Sequence, residues 1–266
     1  MRKLFRFGSR TGAEPESAPS PTAPQAPTVR HTYGGLDLEV SMADDVSVAW
    51  YDVDWPEVPE VDFLSRHGLN EGALVFDLGA HQCVYAMLLG NIVGSAGKVV
   101  AVEASPHNAD VARENLRLNQ VANVEVLHSA VTETGGTVNF GRGFNGQVGD
   151  FPDSVTVTGV TIDGLSQIYG SPDLLFIDIE GFEVRALHGA TATLATRPLC
   201  FIEVHVDYGL EEVGDSSDAL LEFFPKDDYE LFLSNEVERH PTPYSDADYG
   251  VISKERYFLT AIPRVQ

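Results

Sequence analysis

From residue 73 onward, short apolar runs alternate with segments in which apolar residues recur at helical spacing. The apolar runs predict strands at 73–78, 98–103, 123–128, 173–179 and 199–205, and later strands at 229–234 and 256–262. The segments between them predict helices at 84–93, 107–119, 161–169 and 183–195. Such a series forms a mostly parallel sheet with helices on both faces, and its ligands bind at the carboxyl ends of the strands. The sequence therefore predicts an α/β fold built on a mostly parallel sheet.

The first 72 residues follow a different pattern. Residues 11–30 are rich in Pro, Ala, Ser and Thr, a composition that buries too little surface to fold. We therefore expect residues 1–30 to form a disordered, basic, Pro-rich tail. Residues 31–72 are interpreted as an N-terminal wing or lid, with strand-like pieces at 36–42 and 46–51 and a short helix at 61–67. The remaining residues, 73–266, would form the α/β domain.

Two neighbouring strand ends predict a nucleoside site. Gly79 follows the first predicted strand and allows the backbone to approach a ligand, and Glu103 ends the next strand 24 positions later, where nucleotide sites place an acceptor for ribose hydroxyls. The spacing G-x-G-x-x-G of dinucleotide sites is absent after Gly79. Asp77 and Glu103 would repel phosphate but suit hydroxyls, an amino group and a sulfonium, which are the groups of S-adenosylmethionine. The alternative is an ordinary strand-turn-helix without a ligand.

Further carboxylates follow two later strands. Asp178 and Glu180 end the strand at 173–179, and alternation places them on one side if the strand continues through both. Glu203 and His205 end the next strand, so the two ends would be neighbours in a parallel sheet. Taken singly, each carboxylate suits a helix N-cap or a solvated strand end, and His205 suits a buried structural histidine. Their convergence with the nucleoside site favours a chemical role.

Charge and cysteine content narrow the function classes. The chain has 40 acidic and 17 basic side chains, a formal net charge of −23, which argues against a nucleic acid substrate. Its two cysteines are too few for a disulfide framework and indicate a reducing cytosol, so we expect a cytoplasmic protein. No run of eighteen apolar residues occurs, so no membrane span is expected.

Three motifs together resemble the FkbM-type S-adenosylmethionine-dependent methyltransferases over about residues 73–205. They are Phe76-Asp-Leu-Gly-Ala80 as the cofactor loop, Val102-Glu-Ala-Ser-Pro106 as the ribose motif, and Ile177-Asp-Ile-Glu-Gly-Phe-Glu183 followed by Leu187-His-Gly-Ala190. The last motif is the most specific. The resemblance implies a Rossmann-like, class I methyltransferase fold with a seven-stranded sheet whose last strand is antiparallel. It also implies methyl transfer to an oxygen of a small molecule or sugar, and makes residues 73–266 the methyltransferase domain.

Two positions depart from the family pattern. Cys83 stands where a further glycine is usual, and Phe176 stands where a lysine is usual. We expect Cys83 to narrow the cofactor cleft and Phe176 to remove a charge from its strand. These departures keep open the alternative of a non-catalytic, regulatory protein that binds S-adenosylmethionine on the same fold.

The catalytic candidates are His205, Asp178 and Glu180. His205 is the candidate base for an alcohol acceptor because its ordinary pKa lies near working pH, with Asp178 and Glu180 orienting it or acting themselves. No dedicated metal site is predicted, although a divalent ion held by these three residues is an alternative. By position, the candidate cofactor contacts are Asp77, Gly79, Ala80, Glu103, Ala104, Ser129, Ala130 and Asp178.

The acceptor is expected to be a small molecule or a carbohydrate. The wing, the Gly-rich loop at 141–146 and the segment 207–249 are predicted to shape its pocket, with Asp207, Tyr208, Tyr244 and Tyr249 suiting a hydroxylated or cationic partner. A nicotinamide-dependent oxidoreductase is the other alternative, which the missing glycine spacing disfavours.

Overall fold

A computed structural model of the chain describes residues 27–141, 148–149, 152, 154–211, 213–245 and 255–264. Most of the predicted tail, most of the Gly-rich loop, Tyr249 and the side chains of Asp207 and Tyr208 lie outside this part. The strands are β1 (Thr28–Tyr33), β2 (Leu36–Ser41), β3 (Leu74–Leu78), β4 (Lys98–Glu103), β5 (Val124–His128), β6 (Ala130–Val131), β7 (Gly136–Phe140), β8 (Val155–Val160), β9 (Leu174–Ile177), β10 (Leu199–Val204), β11 (Tyr229–Ser234), β12 (Thr242–Pro243) and β13 (Tyr257–Pro263). The helices are α1 (Asp45–Tyr51), α2 (Pro59–Arg66), α3 (Val84–Val93), α4 (Pro106–Leu118), α5 (Ile162–Tyr169), α6 (Glu183–His188), α7 (Thr191–Leu194) and α8 (Ser217–Leu221), and Val206–Leu210 forms one π-helical turn.

The central sheet has the strand order β12-β11-β13-β10-β9-β3-β4-β5. Strands β10, β9, β3, β4 and β5 are parallel, and β13 inserts antiparallel between β10 and β11. The Rossmann-like architecture and the antiparallel last strand are therefore confirmed. The edge strand β12 has only two residues and adds an eighth member to the predicted seven.

Apolar side chains fill both faces of this sheet. Val75 and Val99 pack on one face with α3 and α4, whereas Phe76 and Val100 pack on the other with α5 and α6. Because the central strands are buried on both sides, their sequences are continuous apolar runs rather than alternating ones. This double burial holds the carboxyl ends of β3, β4, β9 and β10 at one edge, where the polar side chains lie.

The segment predicted as a strand at 46–51 is helix α1. Asp44 caps this helix: its side chain accepts from the Ser47 backbone nitrogen at 2.7 Å, and the Ser47 hydroxyl oxygen accepts from the Asp44 backbone nitrogen. This reciprocal capping box satisfies donors that a short helix otherwise leaves open. The apolar alternation that suggested a strand was therefore misleading, and the local cap decides the conformation.

The helix predicted at 183–195 is interrupted at Gly189 and becomes α6 and α7. A Cβ at Gly189 would lie 2.8 Å from the carbonyl oxygen of Thr132 and 2.9 Å from that of Glu133. The break lets the chain pack closely against the segment after β6. Strand β6 belongs to a separate three-stranded sheet with the strand order β6-β8-β7.

The N-terminal hairpin of β1 and β2 is fixed to helix α4. The side-chain oxygen of Asn115 accepts from the Ser41 backbone nitrogen at 2.7 Å, and that of Asn119 accepts from the Glu39 backbone nitrogen at 2.9 Å. The hairpin begins at Thr28, inside the segment predicted as tail. Among the helices of the described ranges, none is both long and apolar enough to cross a membrane.

Candidate active site

The turn after β3 lies directly against the segment after β9. Gly79 has a φ of +92°, and a Cβ there would lie 1.7 Å from the carbonyl oxygen of Asp178. The Asp178 backbone nitrogen also donates to the Leu78 carbonyl oxygen at 2.9 Å. Glycine is therefore required here by the protein's own packing, whereas the sequence suggested only that a ligand needs the space. The contact fixes Asp178 beside the cofactor loop.

Two buried carboxylates end strands β3 and β4. Glu103 accepts hydrogen bonds from the backbone nitrogens of His81 at 2.8 Å and Ser105 at 2.7 Å, one on each oxygen. Asp77 is 2% exposed, and its Oδ2 has no hydrogen-bond partner among the described residues. Burial, followed by the nearby charge of Glu103, raises the pKa of Asp77 to about 7. Burial also raises the pKa of Glu103 to about 7, against its backbone hydrogen bonds.

A cavity opens at this edge of the sheet and gathers most of the predicted cofactor contacts. We refer to it as the nucleoside cavity. The predicted residues on its wall are Asp77, Gly79, Ala80, Glu103, Ala104, Ala130 and Asp178. Ser129 is buried and is not among the lining residues; its backbone nitrogen donates to the Glu103 carbonyl oxygen at 3.0 Å. An unpaired buried carboxylate oxygen and a second carboxylate with free lone pairs fit a ligand that carries hydroxyls and a positive charge.

Several residues of the nucleoside cavity were missed from the sequence. Trp50 and Tyr51 of α1 line it, as does His81, whose ring stacks on Tyr51 with the centroids 5.8 Å apart. Burial lowers the pKa of His81 to about 4, so this imidazole is neutral at working pH. Phe140 and Val148 close another side. The adjacent aromatic residues Trp50 and Tyr51 are visible in the sequence as candidates. The prediction of a strand at 46–51, however, does not indicate that both side chains reach the cavity.

Cys83 lies outside this wall. Its φ is +68°, in the left-handed region that glycine adopts most easily, and its side chain is fully buried in the core. Burial raises the pKa of the thiol well above its ordinary value. The expectation that Cys83 narrows the cofactor cleft is therefore wrong, since the side chain points into the core.

The structure brings the carboxylates after β9 and β10 together around His205. Strand β9 ends at Ile177, two residues before the predicted end at 179, and Glu180 has a φ of +54°. The strand therefore does not continue through Asp178 and Glu180, and alternation does not decide which side they face. The turn nevertheless places both near the His205 Nε2, at 3.7 Å from Asp178 and 3.5 Å from Glu180. Glu203 also lies 3.5 Å from this nitrogen. The predicted meeting of the two strand ends is confirmed by the parallel pairing of β9 with β10.

The other ring nitrogen of His205 is held by Glu183. Nδ1 lies 2.8 Å from Glu183 Oε1, which also accepts from the Gly181 backbone nitrogen at 2.9 Å. Glu183 is fully buried and His205 is 2% exposed. Burial lowers the pKa of His205, but the Glu183 hydrogen bond and the charge of Asp178 outweigh it and raise the pKa to about 10. An imidazole with this pKa keeps its proton at neutral pH, so the predicted role as a base requires a ligand that lowers it.

A second cavity of about 410 Å³ adjoins the nucleoside cavity. We refer to it as the acceptor cavity. It shares Tyr85, Phe176, Asp178 and Glu180 with the nucleoside cavity, and these residues form the border between them. Its other walls are aromatic and charged, and consist of Trp55, Phe201, Phe258, Glu60, Glu203, Glu236, Arg239 and Arg256, with Trp50 and Tyr51 again taking part.

Phe176 forms part of an aromatic stack on this border. Its ring lies 4.5 Å from that of Phe201 at an interplanar angle of 18°, and 5.2 Å from that of Tyr85. The substitution of phenylalanine at the position where lysine is usual in the resembling family thus extends an apolar wall. With phenylalanine at position 176, the cationic side chains that line the acceptor cavity, within the described residues, are Arg239 and Arg256.

Comparison with known proteins places this geometry in context. The family model described as "Methyltransferase FkbM domain" matches residues 77–231, more than half of the chain. A curated relative, the probable cobalt-precorrin-6B C(15)-methyltransferase (decarboxylating) of Sulfolobus acidocaldarius, is 33% identical over 76 residues, which are 29% of this chain and 40% of that protein.

Solved structures with a similar fold include methyltransferase FkbM from Methylobacillus flagellatus, with a TM-score of 0.47, 18% identity, and coverage of 71% of this chain and 43% of that chain. An S-adenosylmethionine-dependent O-methyltransferase from Thermotoga maritima gives a TM-score of 0.46 at 15% identity, covering 79% of this chain and 66% of that chain. The chain thus spans less than half the length of the curated relative and of the Methylobacillus structure.

Proposed function

This chain belongs to the FkbM family of S-adenosylmethionine-dependent methyltransferases, and we propose that it methylates a hydroxyl oxygen of a small molecule or sugar. The observation that carries the proposal is the shared border of the two cavities. Asp178 and Glu180 face both of them, so a donor in one and an acceptor in the other would meet at these carboxylates. Holding the reacting groups in line at such a border supplies most of the acceleration of a displacement reaction.

The cofactor half of the proposal assigns each residue of the nucleoside cavity a part. S-adenosylmethionine, when bound, supplies a methyl group on a positively charged sulfur. Glu103 would accept from the ribose hydroxyls with the lone pairs that its backbone donors leave free. Asp77 and Gly79 would lie along the methionine part, and Ala104 and Ala130 along the adenine. Ser129 would not contact the cofactor directly. Its backbone nitrogen, which donates to the Glu103 carbonyl oxygen, would support the wall of the cavity.

The acceptor half rests on the composition of the acceptor cavity. Aromatic faces such as Phe201 and Phe258 suit the apolar face of a ring, and Glu203 and Arg256 offer acceptors and donors for hydroxyl groups. Trp50 and Tyr51 reach this cavity from α1, so we propose that residues 31–72 act as a wing over it. A ring that carries several hydroxyls, as in a sugar, matches this combination.

The border residues are the proposed reaction centre. The acceptor oxygen would form a bond to the methyl carbon as the carbon–sulfur bond breaks, with the electron pair staying on sulfur. The hydroxyl proton would pass to the carboxylate of Glu180 or Asp178, behind which His205 lies at 3.5 Å and 3.7 Å. A non-catalytic S-adenosylmethionine-binding protein remains the alternative, and it would bind the cofactor without transferring its methyl group.

Transfer of a deuterated methyl group tests this proposal. We expect the full chain to move the label from S-adenosylmethionine to a hydroxyl oxygen within a panel of monosaccharides, polyols and phenols, detected by mass spectrometry and located by NMR. Glu180→Gln should lower the transfer rate by about 100-fold, within the range that a general base contributes, and should leave cofactor affinity intact. Glu133→Gln removes an exposed carboxylate outside both cavities and serves as the matched control. Label on nitrogen or carbon, or equal rates in the two variants, would contradict the proposal.

The raised pKa values of Asp77 and Glu103 predict a pH-dependent cofactor affinity. Both carboxyls have a pKa of about 7, so they are largely protonated at pH 6 and ionised at pH 8. The ionised forms attract a sulfonium and accept from hydroxyls. Affinity for S-adenosylmethionine should therefore rise from pH 6 to pH 8, by about tenfold for each group that must ionise.

Calorimetric titration at several pH values measures this effect. The demethylated product, S-adenosylhomocysteine, shares the amino and carboxyl groups but lacks the sulfonium charge, so its affinity should rise less. Asp77→Asn should flatten the difference between the two ligands. A constant ratio of their affinities across this pH range would mean that Asp77 does not interact with the sulfonium.

A further inference from the structure

Three ligand-type side chains after β9 and β10 converge on one point between the strand ends. Asp178, Glu203 and His205 each offer one oxygen or nitrogen atom, and these atoms lie within 4.8 Å of one another. His205 Nε2 lies 3.7 Å from the Asp178 oxygen and 3.5 Å from the Glu203 oxygen, which is longer than a direct hydrogen bond and suits atoms that share a central ion. Carboxylate oxygens with one imidazole nitrogen form a donor set of the kind that binds divalent transition ions.

The orientation of His205 is the independent observation. Its side chain is 2% exposed, and its Nε2 points at Asp178, Glu180 and Glu203 from 3.5 to 3.7 Å, beyond the ordinary N–H···O hydrogen-bond length. Asp178 Oδ1 is likewise buried without a hydrogen-bond partner among the described residues. A buried imidazole nitrogen and a buried carboxylate oxygen therefore face each other across a gap.

Glu183 fixes the ring in the state that a metal ligand needs. Its Oε1 lies 2.8 Å from His205 Nδ1, so Nδ1–H can donate to the carboxylate. A cation that displaces the Nε2 proton would then bind the lone pair left on Nε2. A carboxylate behind a histidine in this way is the usual support of a histidine that binds a metal. Glu183 is fully buried and does not line either cavity. It acts on the site only through His205 and the Gly181 backbone nitrogen.

The charges around His205 also favour a bound cation. Four carboxylates surround His205, namely Asp178, Glu180, Glu183 and Glu203, and the guanidinium of Arg256 pairs with Glu203 at 3.0 Å. Like charges at this proximity are costly to bury. A divalent cation would offset that cost at the point where the oxygens and Nε2 converge.

We infer that Asp178, Glu203 and His205 form a binding site for a divalent transition cation, such as Mn²⁺, at the border of the two cavities. This ligand set differs from the alternative suggested by the sequence, because Glu203 takes the place of Glu180. The inference rests on the proposed function for the cation's role there: it would bind the acceptor hydroxyl and favour loss of its proton. Binding of the cation itself requires no methyl transfer.

Electron paramagnetic resonance of Mn²⁺ added to the full chain tests the site directly, because the signal of the hydrated ion falls as the ion binds. We expect one saturable site per chain. Asp178→Asn, Glu203→Gln and His205→Gln should each weaken it by more than about tenfold, and Glu183→Gln, which acts through His205, by about 10- to 100-fold. Glu133→Gln controls for the loss of one negative charge, and circular dichroism checks that each variant is folded.

The outcomes separate this inference from the proposed function. Weak binding that is equal in all variants would show that Mn²⁺ associates only with the acidic surface, and would overturn the site. If such a chain still transfers methyl groups, the proposed function stands without the cation. One-site Mn²⁺ binding lost with Asp178→Asn, Glu203→Gln or His205→Gln supports the site even in a chain that fails to transfer methyl groups.

Discussion

Glu103→Ala is expected to weaken binding of S-adenosylmethionine by about 100-fold, because it removes the carboxylate that would accept from the ribose hydroxyls. Hydrogen bonds to a charged group contribute about 1.5 to 3 kcal/mol each, so the loss corresponds to one or two such bonds. The substitution also takes the acceptor away from the backbone nitrogens of His81 and Ser105. Calorimetric titration with S-adenosylmethionine, S-adenosylhomocysteine and NAD gives the measurement, and NAD should not bind.

Two further variants make this result specific. Glu103→Gln keeps one oxygen acceptor and should lose less affinity than the alanine variant. Glu114→Ala removes a partly exposed carboxylate of α4 that pairs with Arg117, and should leave cofactor affinity unchanged. Thermal unfolding shows whether each variant is folded. Unchanged affinity in a folded Glu103→Ala protein would refute the ribose role of this residue.

The sequence predicted the central part of the fold closely because burial on both faces leaves a clear pattern. Strands Lys98–Glu103 and Tyr229–Ser234 and helix Val84–Val93 have the predicted bounds. In a sheet that helices cover on both faces, a continuous apolar run that ends in a charged residue fits only a central strand. The same pattern located Asp77, Glu103, Asp178 and His205, since each follows such a run. Their placement at one edge then follows from the topology.

The errors arose where a local interaction decides the conformation. The capping box of Asp44 and Ser47 turns an alternating segment into α1, which brings Trp50 and Tyr51 to both cavities. Strand β9 ends at Ile177, and the turn after it includes Glu180 with a positive φ. Neither effect is visible in hydrophobic periodicity, which averages over several residues.

Pairings between residues that are distant along the chain also cannot be predicted from the sequence. In the sequence, Glu183 stands out only as the last residue of the motif that begins at Ile177, whereas in the structure it is the buried partner of His205, 22 positions away. Glu203 was noted at its strand end and was left out of the candidate site. Only the register of β9 against β10, with Ile202 opposite Ile177, shows that Glu203 lies beside Asp178.

Gly79→Ala is expected to destabilise the folded chain by about 3 to 5 kcal/mol, a range reserved for severe local conflicts. A Cβ at this position would lie 1.7 Å from the Asp178 carbonyl oxygen, so the main chain of one loop must move. The φ of +92° adds strain of about 1 to 3 kcal/mol for a residue with a Cβ. Differential scanning calorimetry should show the midpoint falling by about 6 to 20 °C, given about 2 to 4 °C per kcal/mol for a chain of this size.

Gly72→Ala separates the two causes of this loss. Gly72 has a similar φ of +87°, but a Cβ there meets no heavy atom within 4 Å, so its alanine variant carries the backbone strain alone. We expect the Gly72→Ala variant to lose about 1 to 3 kcal/mol, less than Gly79→Ala. Equal destabilisation of the two variants would show that the close approach to Asp178 contributes nothing. A much larger loss for Gly79→Ala would mean that the close approach of residue 79 to the Asp178 carbonyl oxygen, and not the backbone strain, is the main reason why this position requires glycine.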